Sequence, residues 1–383
     1  MKILYVANVY RHITSFHMPY LKWLKSQGFE VHVAGSGDES IPKWTDVPYV
    51  DKNFDISIKR SPYSFQNIKA YKQLKGIVES EKYDIVHCHT PMGGVLGRLA
   101  SRGLRKQGTK VIYTAHGFHF CKGAPKINWL IYYPVERFLS RYTDVLITMN
   151  KEDADIVQKF KCREHYSIPG IGFDVAKFKN VEVDKEKKRE ELEILEEEFV
   201  VISVGDLTKR KNHQSVIKAI SKLDSSDIKY IICGKGVLEH ELKQLCLEHE
   251  LSEKVIFLEY RTDINEILKS SDVFVFPSLH EGLAIAGLEA MAAGVPVVAS
   301  NRRGVSDYCI DEKTALLCEP MDSDCIARSI SRIRNEKGLA ERLTEEARKA
   351  IEKFDISNAM SEMQNIYIKV APELFKEKKA EGN

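Results

Sequence analysis

Residues 280–300 read HEGLAIAGLEAMAAGVPVVAS. Just ahead of them, residues 273–277 form a short apolar run of β-branched and aromatic side chains, the pattern of a buried strand. Residues 283–293 are dominated by Ala, Leu and Met, which favour helix, and Gly294 supplies the stop. Residues 295–299 then predict the next buried strand. This order of strand, loop, helix and strand puts the loop at the carboxyl end of a parallel strand. Open α/β sheets hold their ligands at that edge.

Two carboxylates stand out in this stretch. Glu281 lies in the loop, and Glu289 interrupts a helix that is otherwise small and apolar. A charged group facing the helix–sheet interface is costly unless something polar meets it. Eight residues at helical rise span roughly 12 Å, enough to reach from a sugar ring to the ribose of a nucleotide diphosphate sugar. Between the two carboxylates the start of the helix offers free N–H groups and a positive dipole end for a diphosphate. The plainer alternative is one capping and one solvent-facing glutamate. The spacing and the surrounding EGLAIAGLEAMAAGVPVVAS resemble the Glu-x7-Glu signature of glycosyltransferase family 4. That resemblance implies a retaining, nucleotide-sugar-dependent enzyme of α/β class with the GT-B fold, two Rossmann-like doubly wound parallel-sheet domains facing across a cleft.

Composition bounds the reading. A chain of 383 residues exceeds one ordinary core, so two domains are expected. No apolar run approaches the roughly 18 residues of a membrane span, and the opening MKILYVANVYRHITSF reads as a strand entering a polar loop, not a signal peptide. The eight cysteines show no Cys-x-x-Cys spacing and mostly sit in apolar runs. Reduced buried thiols in a cytoplasmic protein are the expectation, with neither disulfides nor a structural zinc indicated. The net charge of +2 conceals an asymmetry: residues 1–170 carry 25 Lys and Arg against 15 Asp and Glu, the remainder 32 against 40. A basic first half suits an anionic partner such as the inner face of a membrane, or is simply solvated; nothing points to nucleic acid.

Outward from the glutamate stretch, residues 2–8, 30–35, 84–89, 110–116 and 144–149 predict strands separated by helical segments, as in a doubly wound sheet. The polar loop expected after the first strand lacks the Gly-x-Gly-x-x-Gly of a dinucleotide-binding dehydrogenase, which weakens a hydride-transfer reading. Where the family often has paired glycines for the acceptor, this chain has Ile13, Thr14 and Ser15. His12 and His17 are candidates for lining the acceptor side, as is His89 at a strand end. His116 ends a strand before Gly117 and resembles the histidine that many family members hold near the donor's sugar and phosphates. Residues 128–133, NWLIYY, beside Lys122 and Lys126, suit a membrane interface or a polyprenyl-linked acceptor, although the core face of a helix is slightly favoured. Pro169-Gly170-Ile171-Gly172 marks the expected joint between domains 1–170 and 171–355, with residues 356–383 returning to the first and the tail beyond about 372 frayed. Residues 185–198 read as a charged, solvated helix.

A second set of strands begins at residues 199–204 and runs into GDLTKRKNH. The resemblance places Lys211 on the diphosphate, where a cation neutralises charge on the leaving group. Asp206 stands where many members have arginine; Lys209 or Arg210 compensates, or Asp206 points away. Gly205, Gly234, Tyr260 and Arg261 lie on strand-end loops that the resemblance assigns to the donor, together with Gly282, Leu283, Ala284 and Ile285 at the helix start. It implies that Glu289 holds the ribose and that Glu281, with Lys211 and His116, serves catalysis. It also implies no cofactor and no metal, a UDP-linked hexose as donor, and a glycan or lipid-linked saccharide as acceptor in surface-polysaccharide synthesis. Two other readings remain: a sugar-nucleotide 2-epimerase and a non-catalytic sugar-nucleotide-binding subunit.

Overall fold

The computed structural model describes residues 1–37, 47–223 and 225–375. Of the tail expected to fray, residues 376–383 lie outside the described residues, while Pro372–Leu374 form a 3-10 turn and Phe375 stacks on Trp23, so this part is ordered. The chain divides into two compact units, one comprising Met1–Gly172 with the chain from Ser357, the other Phe173–Ile356.

The first unit is built on a seven-stranded sheet in which every pair is parallel. Its strands are β1 (Lys2–Val9), β2 (Glu30–Ser36), β3 (Lys52–Asp55), β4 (Ile85–His89), β5 (Lys110–Ala115), β6 (Val145–Thr148) and β7 (Glu164–Ser167), in the order β3-β2-β1-β4-β5-β6-β7. Between them run α1 (Tyr10–Phe16), α2 (Met18–Ser26), α3 (Gln66–Glu81), α4 (Pro91–Ser101), α5 (Lys126–Leu139) and α6 (Lys151–Val157). The central strands are buried almost throughout, as a parallel sheet covered on both faces requires. The edge strands β3 and β7 are largely exposed. They lack an apolar run, which is why no strand was expected at either place.

The expected polar loop after β1 is a helix. Nothing from Tyr10 to Phe16 breaks a helix, Ile13 is fully buried, and the chain turns only at His17, where Pro19 opens α2. Helix α5 is held from inside by a buried ion pair, Arg98 Nη2 to Glu136 Oε2 at 2.7 Å, with the Arg98 guanidinium 3.9 Å from the Tyr113 ring centre. Its other side is open. Ile127, Leu130, Val135 and Phe138 are exposed, Leu130 by 71%, so the apolar residues of this segment are not simply a core face.

The second unit contains α7 (Val175–Lys179), α8 (Lys185–Glu191), β8 (Phe199–Val204), α9 (His213–Ile220), β9 (Ile228–Cys233), α10 (Glu239–Glu248), β10 (Val255–Phe257), α11 (Ile264–Lys269), β11 (Val273–Phe276), α12 (Ile285–Ala293), β12 (Val297–Ser300), β13 (Leu316–Cys318), α13 (Ser323–Asn335) and α14 (Leu339–Ile351). Its six strands are again parallel, in the order β10-β9-β8-β11-β12-β13. The charged segment at residues 185–198 is not merely solvated. Arg189 is buried, bonding the carbonyls of Glu196, Glu198 and Ser270 and the Asp272 carboxylate. A last helix, α15 (Ile356–Val370), packs in the first unit, where the Tyr367 hydroxyl meets Tyr5 Oη and His87 Nδ1, each at 2.6 Å.

Candidate active site

Both sheets reverse strand order once, between β1 and β4 in the first unit and between β8 and β11 in the second. Connections leave in opposite directions at such a point, and a crevice opens beyond the strand ends. In the second unit the two loops at this point are residues 205–212 after β8 and 277–284 after β11. They are tied together: Leu279 N–H donates to the Arg210 carbonyl at 2.9 Å, and Asn212 Nδ2 donates to the Pro277 carbonyl at 3.0 Å.

This arrangement joins three of the residues singled out in the sequence. Lys211 Nζ lies 2.9 Å from Glu281 Oε1, and Arg210 Nη1 lies 2.5 Å from Oε2. Glu281 is 6% exposed. Burial pushes its carboxyl up, but Lys211 and then Arg210 more than offset this and hold it below the usual carboxylate range. The Lys211 contact is at ion-pair distance, yet Oε1 has no well-directed hydrogen bond. A lysine ammonium has three donors, so an added anion can share Lys211 without displacing Glu281. Arg303 Nε donates to the Glu281 carbonyl at 3.2 Å and braces the loop from β12's side, a contact the sequence did not reveal.

Glycine is required under the lysine. Gly205 has φ +152°, and a Cβ there would lie 2.8 Å from Lys211 Cε. Gly234, at the end of β9 with φ +155°, packs so closely that a Cβ would meet the Gly205 carbonyl oxygen at 2.0 Å. Asp206 is exposed, and Arg210 is the side chain that joins Lys211.

Helix α12 begins two residues later than expected because Ala284 takes the left-handed conformation, φ 59°. No side chain caps the helix start, and the Tyr308 hydroxyl donates to the Ala284 carbonyl at 2.8 Å. About one turn into α12, Glu289 is half-buried and, among the described residues, makes no hydrogen bond or ion pair. Desolvation pushes its carboxyl up to about 7, against an opposing pull from Lys177 and Lys211. The two glutamates of the signature are therefore held in opposite ways, one paired and ionised, the other unpaired and poised near neutrality. An unpartnered carboxylate that feels the charge of Lys211 is a candidate ligand group.

The structure does not gather every residue named for the donor. Arg261 is committed to Asp263 at 2.6 Å and Glu191 at 2.6 Å, and Tyr260 is 65% exposed. The chain also carries two Asp-x-Asp triplets, at residues 153–155 and 322–324. Their leading aspartates organise the chain: Asp322 caps α13, and Asp153 accepts from Asn150 Nδ2 and the Phe118 N–H.

In the first unit the candidates meet one another. His12 on α1, His17 between α1 and α2, His89 at the end of β4 and His116 just after β5 bring one ring nitrogen each to within 4.8 Å of the others. Desolvation lowers all four pKa values, that of His12 to about 4. Thr14 turns its hydroxyl to the Arg11 carbonyl at 3.2 Å within α1, and Ser15 is exposed.

The description "Glycosyl transferases group 1" matches residues 184–350, and "Glycosyl transferase 4-like" matches residues 2–150. EpsD of Bacillus subtilis (strain 168), which is named as a glycosyltransferase, is 41% identical over 372 residues, 96% of each chain. The protein belongs to glycosyltransferase family 4. A second relative of this glycosyltransferase is an Escherichia coli enzyme, UDP-Gal:alpha-D-GlcNAc-diphosphoundecaprenol alpha-1,3-galactosyltransferase. It is 32% identical, over 80% of this chain and 82% of its own. Anabaena Alr3699/HepE, solved with UDP and glucose, shares the fold at TM-score 0.77 and 19% identity, covering 96% of this chain and 100% of its own. The GT-B fold class inferred from the sequence is thereby established.

Proposed function

We propose that this glycosyltransferase moves a hexose, with retention, from a UDP-linked donor to a lipid-linked or glycan acceptor in surface-polysaccharide synthesis. The observation that carries the reading is the cation pair Lys211–Arg210 on Glu281, with the unpartnered Glu289 about one turn into α12. The diphosphate meets Lys211, Arg210 and the uncapped start of α12 at residues 282–285, and Glu289 accepts from the ribose hydroxyls. Glu281 keeps Arg210 on one oxygen and offers the other to a hydroxyl of the transferred sugar. As the bond from the anomeric carbon to the phosphate oxygen breaks, the lysine, the arginine and the helix dipole stabilise the departing charge. They supply what a divalent ion on the phosphates would supply. The acceptor oxygen bonds the same face of the anomeric carbon, and its proton passes to the leaving phosphate. His116 is assigned assistance to the transfer, and His12, Thr14, Ser15, His17 and His89 the acceptor side.

The HepE structure holds UDP and the Escherichia coli relative is named for a diphosphoundecaprenol-linked acceptor, which supports a UDP donor and a lipid-linked acceptor. No described helix is long and apolar enough to cross a membrane. A peripheral encounter with the inner membrane surface is favoured by the exposed apolar side of α5, which carries Lys126 and Arg137 near its ends and is followed by Arg141. Leu130→Glu is expected to reduce sedimentation with anionic vesicles; undiminished binding would remove α5 from the account.

The test of function is a panel of sugar nucleotides assayed for nucleotide diphosphate release with and without polyprenyl-diphosphate saccharides. Release that depends on acceptor supports transfer. Donor turnover without acceptor would indicate the epimerase instead, and binding without turnover the non-catalytic subunit.

A further inference from the structure

The four histidines of the first unit do more than line a surface. His17 Nε2 lies 3.4 Å from His12 Nε2, which lies 3.1 Å from His116 Nε2, which lies 3.3 Å from His89 Nδ1. Hydrogen bonding cannot account for all three contacts. A neutral imidazole nitrogen carries either one proton or one lone pair in the ring plane, so it makes one such bond. The His12 and His116 nitrogens each face two neighbours. If the two outer contacts are hydrogen bonds, the central one at 3.1 Å sets two nitrogens together with nothing left to share.

We propose that His12, His17, His89 and His116 form a binding site for a divalent transition metal, with zinc as the fitting ion. A cation at the centre takes four lone pairs at once and removes the conflict. Three of the six nitrogen–nitrogen spacings already agree, since zinc–nitrogen bonds of about 2.0–2.1 Å in a tetrahedron put neighbouring nitrogens about 3.3–3.4 Å apart; the remaining ones are within 4.8 Å. The ligands are anchored before any metal arrives. His17 and His89 are buried, and their rings pack at 4.1 Å between centroids. Tyr5 stacks on His89 at 5.2 Å between ring centroids. His12 and His116 are half-buried, which leaves a way in. Burial disfavours the imidazolium form at all four, and the neutral ring is the form that binds a metal. The four come from three segments carried to one place by the reversal of strand order between β1 and β4 and by the neighbouring end of β5.

The site does not rest on the proposed transfer reaction, but it shares His116 with it. A metal on His116 Nε2 fixes the ring that the proposed transfer assigns to assistance, so loading is expected to lower turnover.

The test uses the full chain stripped with chelator, then dialysed against zinc or cobalt. One zinc retained per chain after gel filtration, the strong visible absorption of tetrahedral cobalt, and a metal-dependent rise in Tm are expected. His17→Gln and His89→Gln should each abolish all three, while His32→Gln, in the Glu30–His32–Glu81 group on the same unit, should abolish none. Should either buried variant fail to fold, judged by its melting in chelator, His12→Gln takes its place. Failure to retain zinc, or retention unchanged in the histidine variants, overturns the site. Stoichiometric zinc without loss of turnover supports the site and removes His116 from the transfer reaction instead; an inactive chain leaves the metal readouts intact.

Discussion

The two sheets reverse strand order in the same way, yet the two reversal points carry opposite chemistry. In the second unit, beyond β8 and β11, the side chains are charged: a buried glutamate between a lysine and an arginine, and a second glutamate without a partner. In the first, beyond β1 and β4, they are histidines whose surroundings keep them neutral. The fold creates both edges, since a parallel sheet of this order leaves strand ends open at the reversal. What each edge does follows from the side chains on the loops. Charges held against each other on two adjoining loops are arranged for a charged ligand. Neutral nitrogens gathered without enough protons to share are arranged for a cation.

The sharpest way to break this contrast is at Lys211. Lys211→Ala is expected to lower kcat by roughly 10²–10³-fold, the usual cost of removing one preorganised donor from a developing oxyanion. A loss of less than about tenfold in steady-state assays would place the diphosphate elsewhere. Circular dichroism belongs beside it, because Glu281 is then left with Arg210 alone.

Glu289→Gln comes next. A lost hydrogen bond to a charged group costs about 1.5–3 kcal/mol, so donor Kd should rise by about 10–100-fold. The same change should raise Tm at pH 8. Between pH 4.5 and about 7 the folded chain keeps a proton on Glu289 that the unfolded chain has released. Its contribution to stability therefore falls across that window and stays low above it. A variant that binds worse yet melts higher separates a ligand-holding carboxylate from a structural one; lower Tm together with unchanged Kd would mark it as structural.

The pH dependence of donor binding sharpens the same point. If the ionised form of Glu289 holds the ribose, affinity should improve about tenfold from pH 6 to pH 8, since the ionised fraction of a group near 7 rises about tenfold there. Titration calorimetry of UDP at the two pH values checks this, and Glu289→Gln should flatten it. The smallest effect is expected at Asp206. It is exposed, and Asp206→Arg adds one cation beside the loop, which should improve donor affinity by about 2–5-fold, the range of an exposed charge contact. No gain would mean that Arg210 already fills that part.

Much of the second unit was legible in the sequence because its signals are local. Residues 199–204 are a strand at their predicted limits, and the run from β11 through α12 to β12 follows the apolar pattern closely. The two glutamates could be singled out because each departs from its neighbours. That Glu281 pairs with Arg210 as well as Lys211 was not legible, since the loops meet only through the strand order. The convergence of His12, His17, His89 and His116 was hidden for the same reason: each looked like a separate loop or strand-end residue. Edge strands β3, β7 and β13 escaped notice because they are short and, in two cases, polar. Buried Arg189 escaped because a run of charge gives no sign of which member turns inward.

The most direct measurement is a crystal structure of the chain with UDP bound. The account predicts the diphosphate within hydrogen-bonding distance of Lys211 Nζ and the start of α12, the ribose hydroxyls on the Glu289 carboxylate, and Glu281 still paired with Arg210. UDP bound away from the loops at residues 205–212 and 277–284, or a ribose with Glu289 turned from it, would contradict it.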